Sequence, residues 1–159
     1  MDITAAAKLR TLLDDAKVCM FTTRDREGSF RSRPMALQQA EQDGDLWLFT
    51  SKDTDMCAEI RHCDRVSLTV TGRRSYLSIS GRASLIEDSA KAAELWSVLY
   101  RAWFPKGLKD PGLQLIRVEI ETAEFWESPG GAVVTIYAAL KAVLTGERAE
   151  IGSHGKLSA

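Results

Sequence analysis

The feature that most constrains the fold is the two-residue alternation from Tyr76 to Leu85. Leu77, Ile79, Gly81, Ala83 and Leu85 fall on one side, and Tyr76, Ser78, Ser80, Arg82 and Ser84 on the other. A period of two marks a strand, because successive side chains leave a pleated backbone on opposite faces. The apolar set must face a core, and the hydroxyl-rich set faces water or a polar cavity. Val66, Leu68 and Val70 alternate likewise with Ser67 and Thr69, and Gly72 separates the two runs, which makes them an antiparallel pair.

The same signals recur on either side. Val18 to Thr23 is rich in β-formers, Asp25 to Gly28 is a turn, and Ser29 to Gln38 alternates Arg31, Arg33, Met35 and Leu37 with Phe30, Ser32, Pro34 and Ala36. That is a hairpin, with Pro34 placing its second strand at an edge or making it irregular there, because it donates no ladder hydrogen bond. After the Asp43-Gly44 turn come the apolar run Leu46-Trp47-Leu48-Phe49 and a helix capped by Asp53 or Thr54 and reaching His62. Further strands are expected at Leu113–Ile120 and Glu124–Glu127. Helical spacing predicts an amphipathic helix over Ala5–Ala16, a helix over Ser89–Trp103 and an apolar helix over Val133–Leu144. In the second of these, Trp96, Leu99, Tyr100 and Trp103 form one stripe, expected to serve packing. Short antiparallel strands with intervening helices make the chain mainly β (α+β), a barrel or sandwich with peripheral helices; a doubly wound parallel sheet is disfavoured. The expected organisation is one domain over residues 1–145 and a flexible Gly- and Ser-containing tail over 146–159.

Composition then removes whole classes of function. A chain of 159 residues with 45% hydrophobic and 27% charged residues is long enough for one core. Its net charge of -1 argues against a nonspecific nucleic-acid binder. The longest apolar stretch, Val133 to Leu144, carries Lys141 and is shorter than the roughly 20 residues of a membrane span. Cys19, Cys57 and Cys63 form no paired framework, and the N-terminal segment lacks an export pattern; a cytoplasmic location is expected.

The chemistry is sparse. His62 and His154 have no Gly-flanked serine nucleophile to serve, the Cys57, His62, Cys63 spacing is not that of a zinc site, and no dinucleotide or phosphate-loop glycine pattern is present. No metal is expected. One group stands out: Arg31 and Arg33 project from one strand beside Pro34 and Met35, while Phe49-Thr50-Ser51-Lys52 ends the next strand and leads into a helix start. Cations, hydroxyls and free helix N–H groups are what a phosphate monoester requires, although a solvated basic strand face has the same pattern.

At these residues the chain resembles the pyridoxamine 5'-phosphate oxidase-like, FMN-binding split-barrel proteins, in their general stress protein branch. The resemblance runs through Ser32-Arg33-Pro34-Met35, Leu46 to Asp53 with Glu59-Ile60, Tyr76 to Ala83, Trp103-Phe104-Pro105-Lys106-Gly107 with Asp110-Pro111, and Glu124-Phe125-Trp126 with Ser128-Pro129-Gly130-Gly131. It implies an antiparallel split β-barrel forming a homodimer, with FMN at the subunit interface. On it, Arg33, Pro34, Met35, Phe49, Thr50, Ser51, Lys52 and Met56 are the expected cofactor-binding residues. Trp126 would approach the ring from the second subunit.

Two departures bear on function. Relatives place a phosphate-binding Lys or Arg where this chain has Met56, so FMN binding is expected to be weakened unless Lys52 compensates; a cation at position 56 should tighten it. The Arg-x-His pair that grips pyridoxine phosphate in the true oxidases is replaced by Gly130-Gly131-Ala132-Val133-Val134. Vitamin B6 oxidation is therefore set aside. What remains is a flavin-dependent oxidoreductase with no visible catalytic residue, a non-enzymatic flavin-binding protein, or a split barrel that has weakened or lost FMN.

Overall fold

The computed structural model describes residues 7, 9, 11–13, 18–38, 45–72, 75–127 and 153–158. Its strands are β1 (Val18–Arg24), β2 (Phe30–Ala36), β3 (Leu46–Ser51), β4 (Arg65–Thr71), β5 (Ser75–Ile86), β6 (Leu113–Glu127) and β7 (Ser153–Ser158). They form an antiparallel sheet in the order β2-β1-β4-β5-β6-β3, with β7 also on β6. The sheet curls into a split barrel and does not close. Its two ends meet where the Gln38 amide donates to the Trp47 carbonyl (3.1 Å). β2 is thus an edge strand, one of the two placements that Pro34 allows.

The alternation in β4 and β5 appears as written in the sequence: Val66, Leu68, Val70, Leu77, Ile79 and Ala83 are buried together with Phe21, Leu48, Ile116 and Val118 in the barrel interior. Leu9, Leu12 and Leu13 of the N-terminal helical turns join the same core. The continuous apolar run of β3 reflects burial on both faces. Leu46 and Leu48 face the barrel interior, while Trp47 and Phe49 face a second cluster with Ala92, Tyr100, Phe104 and Leu115. Between Ser80 and Gly81 the β5–β6 register shifts by one residue. A Cβ on Gly81 would lie 2.2 Å from the Glu119 carbonyl oxygen, so only glycine lets the strands approach there.

Helix α1 (Asp55–His62) begins at Thr54, whose backbone is extended; Asp55 in its first turn and Arg61 and His62 in its last complement the helix dipole. The helix expected over Ser89–Trp103 is instead α2 (Ser89–Leu95) followed by a 3-10 turn over Val98–Ala102 and another over Gly107–Lys109. Ser97 interrupts it, its side chain accepting from the Leu99 amide. Leu99 and Trp103 are consequently exposed, and Trp96, Tyr100 and Phe104 gather on Phe49. The two strands expected at Leu113–Ile120 and Glu124–Glu127 are one continuous strand. Ser153–Ser158, expected to belong to a flexible tail, pairs with Thr122–Glu127 as β7. The helix expected over Val133–Leu144 lies outside the described residues.

Candidate functional site

Strand β2, the end of β3, the residue capping α1 and the 3-10 turn after α2 converge on one cavity of about 330 Å³. It is lined by Pro34, Met35 and Ala36 from β2, Phe49, Thr50, Ser51 and Thr54 around the end of β3, and Tyr100, Trp103 and Phe104. Five residues expected from the sequence, Pro34, Met35, Phe49, Thr50 and Ser51, therefore share one wall system. The aromatic wall was not foreseen as part of a site. Phe49 and Tyr100 rings lie 4.9 Å apart and Phe49 and Trp96 meet edge-on at 5.8 Å, so the second core cluster holds the wall rigid. The sequence signal for it is Ser97, which caps the 3-10 turn that carries Tyr100 and leads to Trp103 and Phe104. Thr54 directs its hydroxyl to the Ser51 carbonyl (2.9 Å), which fixes the β3–α1 corner.

The remaining expected residues lie elsewhere. Arg33 adjoins the cavity in sequence but its guanidinium is engaged: Nη1 donates to Thr23 Oγ1 (2.8 Å), Nη2 to Glu59 Oε1 (2.9 Å), and Nη1 stands 2.9 Å from Glu59 Oε2. The Thr23 hydroxyl donates in turn to Glu59. Thr23 and Glu59 are buried, at 1% and 7% exposure. Hydrogen bonding from Arg33 holds the Glu59 carboxyl below the usual range against the opposing effect of burial, with Thr23 adding to the same end. Lys52 pairs with Glu87 at 2.9 Å on the surface. Met56, at 2% exposure, is part of the barrel core. Trp126 is half-exposed on β6, opposite Tyr76 and stacked on His154 at 5.1 Å.

Beside the apolar cavity lies a charged cleft of about 440 Å³ lined by Asp25, Arg26, Glu27, Arg31, Arg33, Asp55, Ala58 and Glu59. The two adjoin in sequence at Arg33 and Pro34 and again at Thr54 and Asp55. Four carboxylates there face three guanidiniums, and Arg31 is paired with Asp25 at 3.0 Å. Burial works to raise the Asp25 carboxyl, but the Ser29 amide and Arg31 keep it below its ordinary value.

An FMN molecule asks for a flat, largely apolar slot for its ring and for cations or N–H donors at its phosphate. The cavity meets the first demand with aromatic and aliphatic walls and a rim of Thr50, Ser51 and Thr54; its lining carries no charged side chain. The second demand competes with the Arg33–Glu59 pair. With the Arg33 side chain 30% exposed, opening the pair costs about 2 kcal/mol, which offsets most of what a charge-assisted hydrogen bond to the phosphate returns, about 1.5 to 3 kcal/mol.

Other chemistry is thin. Burial pushes the Cys19 thiol up to about 12, which keeps it protonated. Among the described residues no cluster of His, Cys, Asp and Glu is placed to hold a metal ion, and no helix is long and apolar enough to cross a membrane.

With an open antiparallel barrel and an aromatic, hydroxyl-rimmed cavity between its end strands, the molecule falls among the split barrels in architecture. The family model described as pyridoxamine 5'-phosphate oxidase like matches residues 4–150, and the chain belongs to that family. It is 26% identical over 162 residues to protein bli-3 of Neurospora crassa, a match covering 94% of this chain and 78% of that one. The crystal structure of a candidate general stress protein 26 from Jannaschia sp. CCS1 superposes with a TM-score of 0.77 at 24% identity, covering 98% of this chain and 99% of that one. The general stress FMN/FAD binding protein of Xanthomonas citri gives 0.66 at 29% identity, covering 78% and 89%.

Proposed function

We propose that the protein is a flavin-binding, general-stress-type split barrel, with the FMN ring in the cavity between β2, β3 and the 3-10 turn. The observation that carries this reading is the convergence of Pro34, Met35, Phe49, Thr50 and Ser51 with Tyr100, Trp103 and Phe104 on one cavity. The FMN/FAD-binding description of the Xanthomonas citri protein supports it. Flavin supplies its own redox chemistry when bound. The chain's part is to orient the ring with its aromatic wall, to offer hydroxyls at the rim, and to exclude water. An oxidoreductase acting on a substrate other than pyridoxine phosphate fits the absence of the Arg-x-His pair. The missing charge in the cavity lining favours the second reading, a barrel with weakened FMN binding.

The active form is a homodimer in this proposal. Val18, Met20, Tyr76 and Trp126 are exposed apolar residues on one outer face of the sheet, a patch a monomer would leave wet. Three free cysteines, two of them buried, suit a reducing, cytoplasmic compartment. The test is the visible spectrum of the purified protein before and after addition of FMN, with turnover of NADH or NADPH to separate an enzyme from a binder. No spectral change on titration rejects the flavin reading; sedimentation as a monomer at micromolar concentration rejects the dimer.

A further inference from the structure

We infer that this site selects flavins with a neutral polyhydroxyl tail over their phosphate monoesters, with Glu59 as the residue that sets the preference. The inference rests on the flavin reading above and concerns only the ligand's tail. A ring seated against Phe49, Tyr100 and Trp103 can extend its tail past Pro34 and Thr54, and the chain positions next to those two are Arg33 and Asp55, which line the charged cleft. That cleft holds more carboxylates than guanidiniums, and its two ion-paired arginines, Arg31 and Arg33, already serve Asp25 and Glu59. A phosphate dianion entering it meets Asp55 and Glu59 as like charges and finds Arg33 occupied at both terminal nitrogens. A chain of neutral hydroxyls meets no such repulsion and can donate to the same carboxylates.

Glu59 is the controlling residue because its anchoring is internal. Thr23, nearly inaccessible, fixes one carboxylate oxygen, and α1 carries Glu59 on its buried face, so the carboxylate does not swing aside to release Arg33. The cleft's preference is thus set by a contact between two elements 26 positions apart in the chain, which a local motif around Arg33 does not contain.

The experiment is fluorescence titration of the full chain with FMN and with riboflavin at fixed salt, repeated with Glu59→Gln. In the parent protein riboflavin should bind more tightly than FMN. Glu59→Gln, with its fold checked by circular dichroism, should tighten FMN by about 10-fold or more, the scale of one charge-assisted bond, and leave riboflavin within about twofold. FMN binding as tightly as riboflavin, or more tightly, in the parent protein overturns the inference while leaving the flavin reading intact. The parent comparison stands whether or not the variant folds. Equal shifts of both ligands in Glu59→Gln, or none, overturn the role of Glu59. Binding of neither flavin to the parent removes the flavin reading and the inference with it.

Discussion

Replacing Arg33 by alanine separates a ligand-binding arginine from a structural one. The sequence predicts a loss of ligand affinity with little loss of stability, since a strand-borne cation aimed at a phosphate adds little to an apo core. The Arg33–Glu59–Thr23 network predicts the reverse. Removing one member of a fully buried ion pair costs about 3 to 5 kcal/mol. The Arg33 side chain is 30% exposed, so water reaches the orphaned carboxylate and about 2 kcal/mol is the expected loss. For a chain of this size that is a fall in Tm of roughly 4 to 8 °C. The pH dependence gives a second readout. Glu59 has a lowered folded-state pKa, so its pairing stabilises the protein above the ordinary glutamate value, and that contribution is lost as pH falls through the folded value. The gap between parent and Arg33→Ala should therefore be full at neutral pH and narrow on acidification, once Glu59 is protonated in both. Thermal melts of the two proteins from neutral to acid pH measure this. An unchanged Tm at neutral pH, accompanied by loss of flavin binding, refutes the argument and returns Arg33 to the ligand.

Gly81→Ala sets a methyl against the Glu119 carbonyl at the β5–β6 irregularity and should cost about 1 to 3 kcal/mol, seen as a lower urea midpoint at constant slope. Met56→Lys puts an ammonium into the barrel core; a loss of about 3 kcal/mol without tighter FMN is expected, and tenfold tighter FMN at unchanged stability would mean that position 56 faces the ligand. Trp103→Ala removes a cavity wall that is 70% exposed, so stability should stay within about 0.5 kcal/mol while both flavins weaken roughly 2- to 10-fold; an unaltered affinity places the ring elsewhere.

The strands were legible wherever a side-chain period reports a single buried face. Val66, Leu68, Val70 and the Leu77–Ala83 set could be placed on the core side from their alternation, and the missing donor of Pro34 narrowed its strand to an edge or an irregular stretch, of which the structure shows the edge. The segment after Leu95 was not legible because Trp96, Tyr100 and Phe104 keep a spacing of four in both a continuous helix and the broken path. Ser97, a weak interrupter in isolation, decides between them through its bond to the Leu99 amide. At the site, the β2 and β3 contributions are local motifs and were visible. The engagement of Arg33 was not, because Glu59 reads as an ordinary helix acid until α1 packs on β1 and buries it against Thr23. Met56 could not be judged from a motif position alone, since its burial follows from the face α1 turns inward.

The long strand β6 has one edge shared by two partners in succession: β3 covers Leu113 to Val118, and β7 covers Thr122 to Glu127. In the second of these, Gly155 leaves a notch for the Phe125 ring, since a Cβ there would come within 2.7 Å of it. Molecules shortened ahead of Ser153, at the limit of the family match for instance, would leave the amides and carbonyls of Thr122–Glu127 as a bare template onto which a strand from any neighbouring molecule can be added. Self-association of such a shortened chain would then report strand capture rather than the native dimer, and an affinity tag placed after Ala159 extends from a paired strand whose register it must not disturb.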